Sequence, residues 1–569
     1  MKPLVVAVAW GAALFLSTCC ASSVPFPLTP ALSFGERENR CQSVGESGDV
    51  GVFESRPWLL PLPRGEGRGE GELAARQNQL PKSDVRPVAW AGLFFTAQGW
   101  AQGAILKDLN QLEAQGHFRE AAAVAGRALK DSSLPAAERR QWAFESDRLE
   151  RIRRDFPFTK EALFSALKDS VKDLRAEEYD QWIDQGRFDS REIDGEGRFM
   201  VSSVPNLFFR YPELNARRVS PRDTAGLERS HWETCVAIKE AAQAEKRPYV
   251  LPKRFQATMA VTAADDAAPA GETIRAWLPV PRWKPFQGDF QLLSTSSRPK
   301  HVDDEQNPIR CLYLEQPALT NKQTLFSAAY AYTTYGVWFD LKAAEIRPCD
   351  PGDPALNGFL AEGPHVIFTP EIRALSGQIV GQESNPCLKA RKCYDWIAEH
   401  IQYSYAIEYS TIGNISEYCL RKGYGDCGQE ALLFITLCRL NGIPARWQSG
   451  WNIFPGEKTI HDWSEIYLEP CGWVPVDPYM GVFAMRYATS LNPEQRREMR
   501  DFYFGGLDQY RMAANGDHNQ TLTPPKQSVR SDDVDFQRGE LEWRGHNIYF
   551  DQYSYSLTLK EMKVPARNE

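Results

Sequence analysis

The stretch Tyr424-Gly425-Asp426-Cys427-Gly428-Gln429-Glu430-Ala431 leads from a glycine-rich turn into residues 431–440, ALLFITLCRL, which are apolar on every side. A helix without a polar face is a buried helix. Asn441-Gly442 ends it, and Ile443-Pro444 starts the next segment in extended form. Cys427 is thereby placed at or near a helix N-terminus. Unpaired backbone N–H groups and the positive dipole end favour thiolate over thiol at that position. Cys438, in mid-helix among Leu and Phe, reads instead as an inert core residue.

A reactive thiol needs a base and a group that orients the base. The next fifty or so residues supply both. His461 opens HDWSEIYLEP, in which Trp463, Glu465 and Tyr467 alternate with Ser464, Ile466 and Leu468, the pattern of a half-buried strand. Pro470-Cys471-Gly472 reads as a tight turn and Trp473-Val474-Pro475-Val476-Asp477-Pro478 as the returning strand. A hairpin of that length brings Asp477 within reach of the His461 ring. The outline is a Cys–His–Asp triad. A metal site made of the same three residues lacks a clustered fourth ligand or a Cys-x-x-Cys pair, so no metal and no cofactor is expected.

These residues resemble the core of the transglutaminase-like superfamily in four ordered blocks. They are Gly425-x-Cys427-x-x-x-Ala431, Gly442-Ile443-Pro444-Ala445-Arg446, His461-x-Trp463-x-Glu465 and Trp473-x-Pro475-x-Asp477. The helical stretch 390–403 is similar to the helix that precedes the nucleophile in that family. The resemblance covers roughly residues 365–485, about a fifth of the chain. It implies a papain/transglutaminase-like fold, with the cysteine helix packed on an antiparallel sheet. It also implies Cys427 as nucleophile, His461 as base and Asp477 as orienter, acting on peptide or glutamine carboxamide bonds through a thioester passed to an amine or to water. Tyr403 is the candidate for a second oxyanion donor, and Trp451 and Trp463 are candidate cleft walls. Two alternatives stay open: a cysteine peptidase or amidase using the same triad, and a non-catalytic interaction scaffold.

At 569 residues the chain exceeds one core, and several domains are expected. Lys plus Arg number 66 against 74 Asp plus Glu, which leaves no electrostatic footprint for nucleic acid. Twelve cysteines over this length are not a disulfide framework. Met1-Lys2-Pro3 followed by LVVAVAWGAALFL reads as a signal peptide over 1–21. The expectation is a secreted or periplasmic protein, with a lipid anchor at Cys19 or Cys20 as the minor alternative. No later run is long and apolar enough to predict a transmembrane segment.

Residues 22–103 are rich in Gly, Pro and charge without periodicity, and read as a disordered low-complexity segment. Three- and four-residue spacing then predicts a helical domain over 104–230, with Thr159 as an N-cap and a small hairpin near 189–199. From residue 247 the period changes to two, predicting an antiparallel β-sandwich over 247–345. In proteins similar to this family such a domain precedes the core, here 365–485, and is expected to frame its cleft. A β-rich C-terminal extension, 486–569, is expected to pack on the core or the sandwich. The fold class is therefore multidomain α+β. His518 and His546, in polar loops, read as surface residues. Asp303-Asp304-Glu305 and Asp532-Asp533 lack the spacing of a calcium loop. The partner expected is a protein or peptide substrate; the sequence leaves the oligomeric state open.

Overall fold

The computed structural model describes residues 97–564 apart from Arg222. The expected signal peptide and residues 22–96 of the low-complexity segment lie outside the described residues. Residues 97–103 correct the expected boundary, because they already belong to helix α1 (Ala97–Ala114).

The N-terminal region is helical, as its spacing predicts. After α1 come α2 (Phe118–Lys130), α3 (Ala136–Asp155), α4 (Lys160–Lys168) and α5 (Ala176–Asp184), then the hairpin β1 (Ser190–Ile193) and β2 (Glu196–Phe199). Thr159 caps α4, its Oγ1 accepting from the Ala162 N–H at 3.2 Å. Helices α6 (Ser203–Arg210) and α7 (Ala225–Glu245) complete the region.

Strands β3 (Tyr249–Ala263), β4 (Thr273–Pro279), β5 (Gln287–Thr295), β6 (His301–Val302), β7 (Cys311–Pro317) and β8 (Thr324–Trp338) follow. They form two sheets around an apolar interior that includes Met259, Val261, Leu278, Leu312, Phe326 and Tyr330. The alternation of burial from Phe255 to Ala263 along β3 shows why a two-residue period could be read from sequence. The C-terminal tail completes both sheets. β14 (Gly506–Leu507) and β18 (Tyr553–Met562) join the β3/β8 sheet, while β16 (Glu540–Trp543) and β17 (His546–Ile548) join β4.

The core begins with α8 (Pro370–Val380), α9 (Pro386–His400), β9 (Gln402–Tyr403) and α10 (Ile415–Lys422). β10 (Tyr424–Gly425) pairs with β9 and hands the chain directly to α11 (Cys427–Leu440). β11 (Ala445–Phe454), β12 (Glu457–Leu468) and β13 (Gly472–Val476) form an antiparallel meander, extended by β15 (Arg511–Asn515) of the tail in the order β13-β12-β11-β15. Leu432, Leu433, Phe434, Ile435 and Leu437 of α11 have no exposed surface. Each such side chain contributes about 1.5–3 kcal/mol of burial. They meet Trp447, Ile466, Val474 and Val476 on one face of this sheet.

The other face of the sheet is covered as well. Trp463 packs with Phe286, Val337, Leu507 and Ala513. β12 is therefore buried on both sides from His461 to Ile466, and the half-buried strand expected from its alternation is corrected. The alternating residues are polar yet enclosed, because Glu465 is paired with Lys284 and Arg446. His518 is also buried, with Nε2 2.8 Å from the Pro364 carbonyl, so its reading as a surface residue is corrected too. A backbone acceptor from a distant loop supplies what solvent was expected to supply.

Candidate active site

Asp426, Cys427 and Gly428 form the junction between β10 and α11. Asp426 is the N-cap in a capping box: Oδ1 accepts from the Gln429 N–H at 3.1 Å, and Gln429 Oε1 accepts from the Asp426 N–H at 3.3 Å. Cys427 is the first helical residue, as the glycine-rich turn predicts. Gly428 follows because nothing larger fits. A Cβ there would lie 2.8 Å from Asp462 Oδ2 and 2.9 Å from the Trp447 ring, and would collide with the Tyr409 hydroxyl.

His461 lies on β12, opposite Gly450 of β11. The β12–β13 hairpin pairs Ser464 with Val476, so Asp477 emerges one residue beyond the ladder, where it caps α12 (Pro478–Val482). Its Oδ1 accepts from the Met480 N–H at 3.1 Å, and its Oδ2 lies 2.8 Å from His461 Nε2. Arg511 Nη1 approaches the same Oδ2 at 3.1 Å, and its Nη2 bonds Asp508 at 2.8 Å. All four side chains are buried. Burial opposes ionisation of Asp477, but the His461 ring and the Arg511 guanidinium outweigh it and hold the carboxyl below the ordinary range.

Cys427, His461 and Tyr403 line one cavity of about 160 Å³. The Cys427 thiol is not aimed at the imidazole. Its hydrogen bond goes to Asp462 Oδ2, with the sulfur 3.6 Å away. Burial pushes the thiol well above its ordinary value, and the Asp462 and Asp426 carboxylates push it further. The expectation of a resting thiolate at a helix start is thus corrected: the dipole end is opposed by enclosure and by neighbouring carboxylates that the motif did not reveal. Asp462 is itself raised well above its usual range by burial and by Asp426, while Asp426 is pushed up to about 6 by burial.

Tyr403 sits beside Tyr479, with ring centroids 5.1 Å apart, and Tyr479 in turn meets the His461 ring at 5.4 Å. The two tryptophans are elsewhere. Trp451 is buried in the sandwich interior, its indole N–H donating to the Gln537 carbonyl. Trp463 stacks behind His461 at 6.0 Å in a fully buried cluster. Neither lines the cavity, so their expected role as cleft walls is corrected. Nor does any residue of 247–345 line it; beyond the core's own segments, the walls come from Asp155, Ser202 and Phe209 of the helical region and from the tail segment 532–538.

Several site residues were not found from sequence. Asp426 and Asp462 adjoin the expected Cys and His, and that adjacency was the only signal for them. Tyr479 follows Asp477-Pro478. Gln537, whose amide donates to the His461 carbonyl at 2.9 Å and to Asp462 Oδ1 at 2.7 Å, comes from more than seventy residues downstream and carried none.

Comparison with known proteins agrees with this core. Residues 373–478 match the model of the transglutaminase-like superfamily. A relative in Haemophilus influenzae, an uncharacterised protein, is 25% identical over 277 residues, covering 41% of this chain and 71% of its own length. Among solved structures, a candidate cysteine protease from Cytophaga hutchinsonii aligns at 15% identity and TM-score 0.36, over 56% of this chain and 93% of that one. The periplasmic domain of TgpA from Pseudomonas aeruginosa aligns at 16% identity and TM-score 0.23, over 42% of this chain and 91% of that one. Residues 373–478 of this multidomain α+β chain are thus similar to the core of the transglutaminase-like superfamily.

Proposed function

We propose that the chain is a thiol enzyme that opens peptide or carboxamide bonds, with Cys427 as nucleophile, His461 as proton carrier and Asp477 as its orienter. The observation that carries this reading is the buried 2.8 Å contact between His461 Nε2 and Asp477 Oδ2, beside a cysteine at a helix start in the same cavity. Asp477, held ionised by Arg511, fixes the ring and supports its positive charge. The resting sulfur is a thiol, so attack requires it to leave Asp462 and give its proton to the His461 ring nitrogen that does not face Asp477.

The sulfur then bonds to the carbonyl carbon and the C=O pair moves to oxygen. Collapse restores the carbonyl, breaks the C–N bond, and the amine leaves with the proton that His461 carries. The product is a Cys427 thioester. Water or an amine, deprotonated by His461, attacks it and the C–S bond breaks. Tyr403 and the Cys427 backbone N–H are proposed as oxyanion donors, each worth about 2.7–4 kcal/mol of barrier. The substrate proposed is a protein or peptide, and the place of action is outside the cytoplasm.

Trapping a thioester on Cys427 with a glutamine-peptide or amide probe tests the reading. The adduct is expected on Cys427 and absent from Cys427→Ala. Absence of any adduct, with Cys427 open to small alkylating reagents, would favour the scaffold instead.

A further inference from the structure

We infer that the cavity beside Cys427 contains a subsite for a primary ammonium group on the acyl-donor substrate, built from Asp462 and Asp535. The inference rests on the reading of Cys427 as nucleophile and adds what that nucleophile selects.

The cavity lining is unbalanced in charge. Seven of its side chains are carboxylates, and apart from His461 only Lys458 and Arg538 are cationic. Some of the carboxylates are matched. Glu457 lies 2.8 Å from His231 Nε2, and Asp532 is paired with Arg538 at 3.1 Å. Asp426 accepts from the helix N-terminus and from the Tyr409 hydroxyl. Asp535 is matched only in part, by a hydrogen bond shared with Asp532 and by the charge of Arg538. It is 6% exposed, lines the cavity, and its Oδ1 has no hydrogen-bond partner. A buried carboxylate oxygen without a donor costs about 1–3 kcal/mol or more, and a bound donor removes that cost. Asp462 has one oxygen on the Gln537 amide and the other on the Cys427 thiol, which is the group that must leave for reaction.

Burial and neighbouring acids raise both carboxyls well above their ordinary range. A bound ammonium favours the ionised forms of these carboxyls and supplies the donor that Asp535 Oδ1 lacks. The cation inferred is an organic one, carried by the substrate itself. The spacing limits which cation. Asp462 Oδ2 is 3.6 Å from the sulfur. An ammonium bonded to it at about 2.8 Å therefore sits within roughly 6–7 Å of the sulfur, and the reacting carbonyl carbon stands about 3–3.5 Å from that sulfur. The ammonium thus belongs to the residue whose carbonyl reacts or to its immediate neighbour. Docking it on Asp462 also withdraws the acceptor that holds the thiol, freeing the sulfur to turn to His461.

Three methanethiosulfonates of similar size test this on the intact protein: 2-aminoethyl (cationic), methyl (neutral) and 2-sulfonatoethyl (anionic). Their rates at Cys427, located by peptide mapping, are divided by their rates with a free thiol. The cationic reagent is expected to lead the neutral one by about tenfold, the low end of charge-focused capture in a cleft, with the anionic reagent slowest and the spread narrowing as salt is raised. In Asp535→Asn the cationic advantage should collapse while the neutral rate and melting temperature hold. Equal normalised rates in the wild-type protein, or an advantage that survives Asp535→Asn, would overturn the subsite. Failure of even the neutral reagent to reach Cys427 would overturn the nucleophile reading instead. The ammonium source is read by protection against the methyl reagent. Protection by alanyl-alanine amide and not its N-acetyl form assigns an α-ammonium, protection by N-acetyl-lysine amide assigns a side-chain ammonium, and protection by none of them refutes the subsite.

Discussion

Asp462 Oδ2, 3.6 Å from the Cys427 sulfur, accepts the thiol's hydrogen bond, whereas in a thiolate–imidazolium pair the His461 ring would donate one to the sulfur. This contact makes the resting thiol harder to ionise, because a thiolate would face Asp462 as well as Asp426. Replacing a carboxyl that opposes the thiolate once it is ionised should therefore lower the Cys427 pKa. Asp462→Asn is expected to speed iodoacetamide labelling of Cys427 near neutral pH, about tenfold for each pKa unit the thiol falls. The pH profile of labelling should move to lower pH. An unmoved profile would show that Asp462 does not govern the sulfur.

How much of this was legible in the sequence depends on how local each signal is. The start of α11 at Cys427, its stop at Asn441-Gly442 and the β12–β13 hairpin follow from turn residues and apolar runs inside one short stretch. The strand positions of the sandwich follow from alternation, as along β3. Asp462, Gln537 and Asp535 could not be read that way. Their role arises because the tail returns to the core sheet through β15 and lays 532–538 over the cavity, and no periodicity encodes that return. Trp451 and Trp463 misled for a related reason. A motif tryptophan beside a catalytic-type residue is compatible with wall or core, and only the sandwich packed behind the sheet decides for core.

His461→Asn and Asp477→Asn should separate chemistry from architecture. His461 moves two protons in the proposed cycle, each transfer worth about 10²–10⁴-fold. Its loss should abolish turnover of an amide probe with little change in melting temperature. Asp477 also caps α12 and balances Arg511. Asp477→Asn should lower the melting temperature and reduce turnover by less than His461→Asn does. Equal losses of turnover, with equal stability, would contradict this division of labour.

Gly428→Ala tests the close approach at the helix start. The new methyl has Asp462 Oδ2 at 2.8 Å, the Trp447 ring at 2.9 Å and the Tyr409 hydroxyl in direct collision. Since Trp447 and Asp462 are both buried, relief must come chiefly from the half-buried Tyr409. A loss of about 1–3 kcal/mol is expected, the usual range for overpacking. Labelling of Cys427 should change along with it. A variant as stable as the parent in urea would show that the junction has slack.

Glu465 predicts part of the acid limit of stability. Burial alone would raise its pKa, but Lys284 at 2.9 Å and Arg446 at 2.6 Å, both on Oε2, reverse this and bring it down to about 2. A depressed folded pKa gives stability that is fully present above the unfolded value near 4.5 and is lost as pH falls toward 2. Glu465→Gln should remove that portion of the dependence and destabilise the protein at neutral pH, because Lys284 and Arg446 lose their anion. Urea titrations of both proteins at pH 3 and pH 7 give the comparison. A difference between the two proteins that does not shrink at pH 3 would show that the ion pairs do not set this limb.

Glu430, one turn into α11, predicts the opposite slope. Neither of its carboxyl oxygens has a hydrogen-bond partner, and it has no exposed surface. Burial, followed by Asp426 and Asp477, raises its pKa well above the ordinary value near 4.5. In the unfolded chain this group ionises near 4.5, while in the folded chain it keeps its proton to higher pH. The folded state then binds one more proton than the unfolded state. Stability must fall as pH rises above that value, by about 1.4 kcal/mol per pH unit, until the folded group also ionises. Glu430→Gln keeps the shape and removes the titration. The variant is expected to match the parent near pH 4.5 and to exceed it increasingly toward pH 8, read as the difference in unfolding free energy between the two proteins. A difference that stays flat with pH would mean that Glu430 is ionised in the folded state and that another cation reaches it.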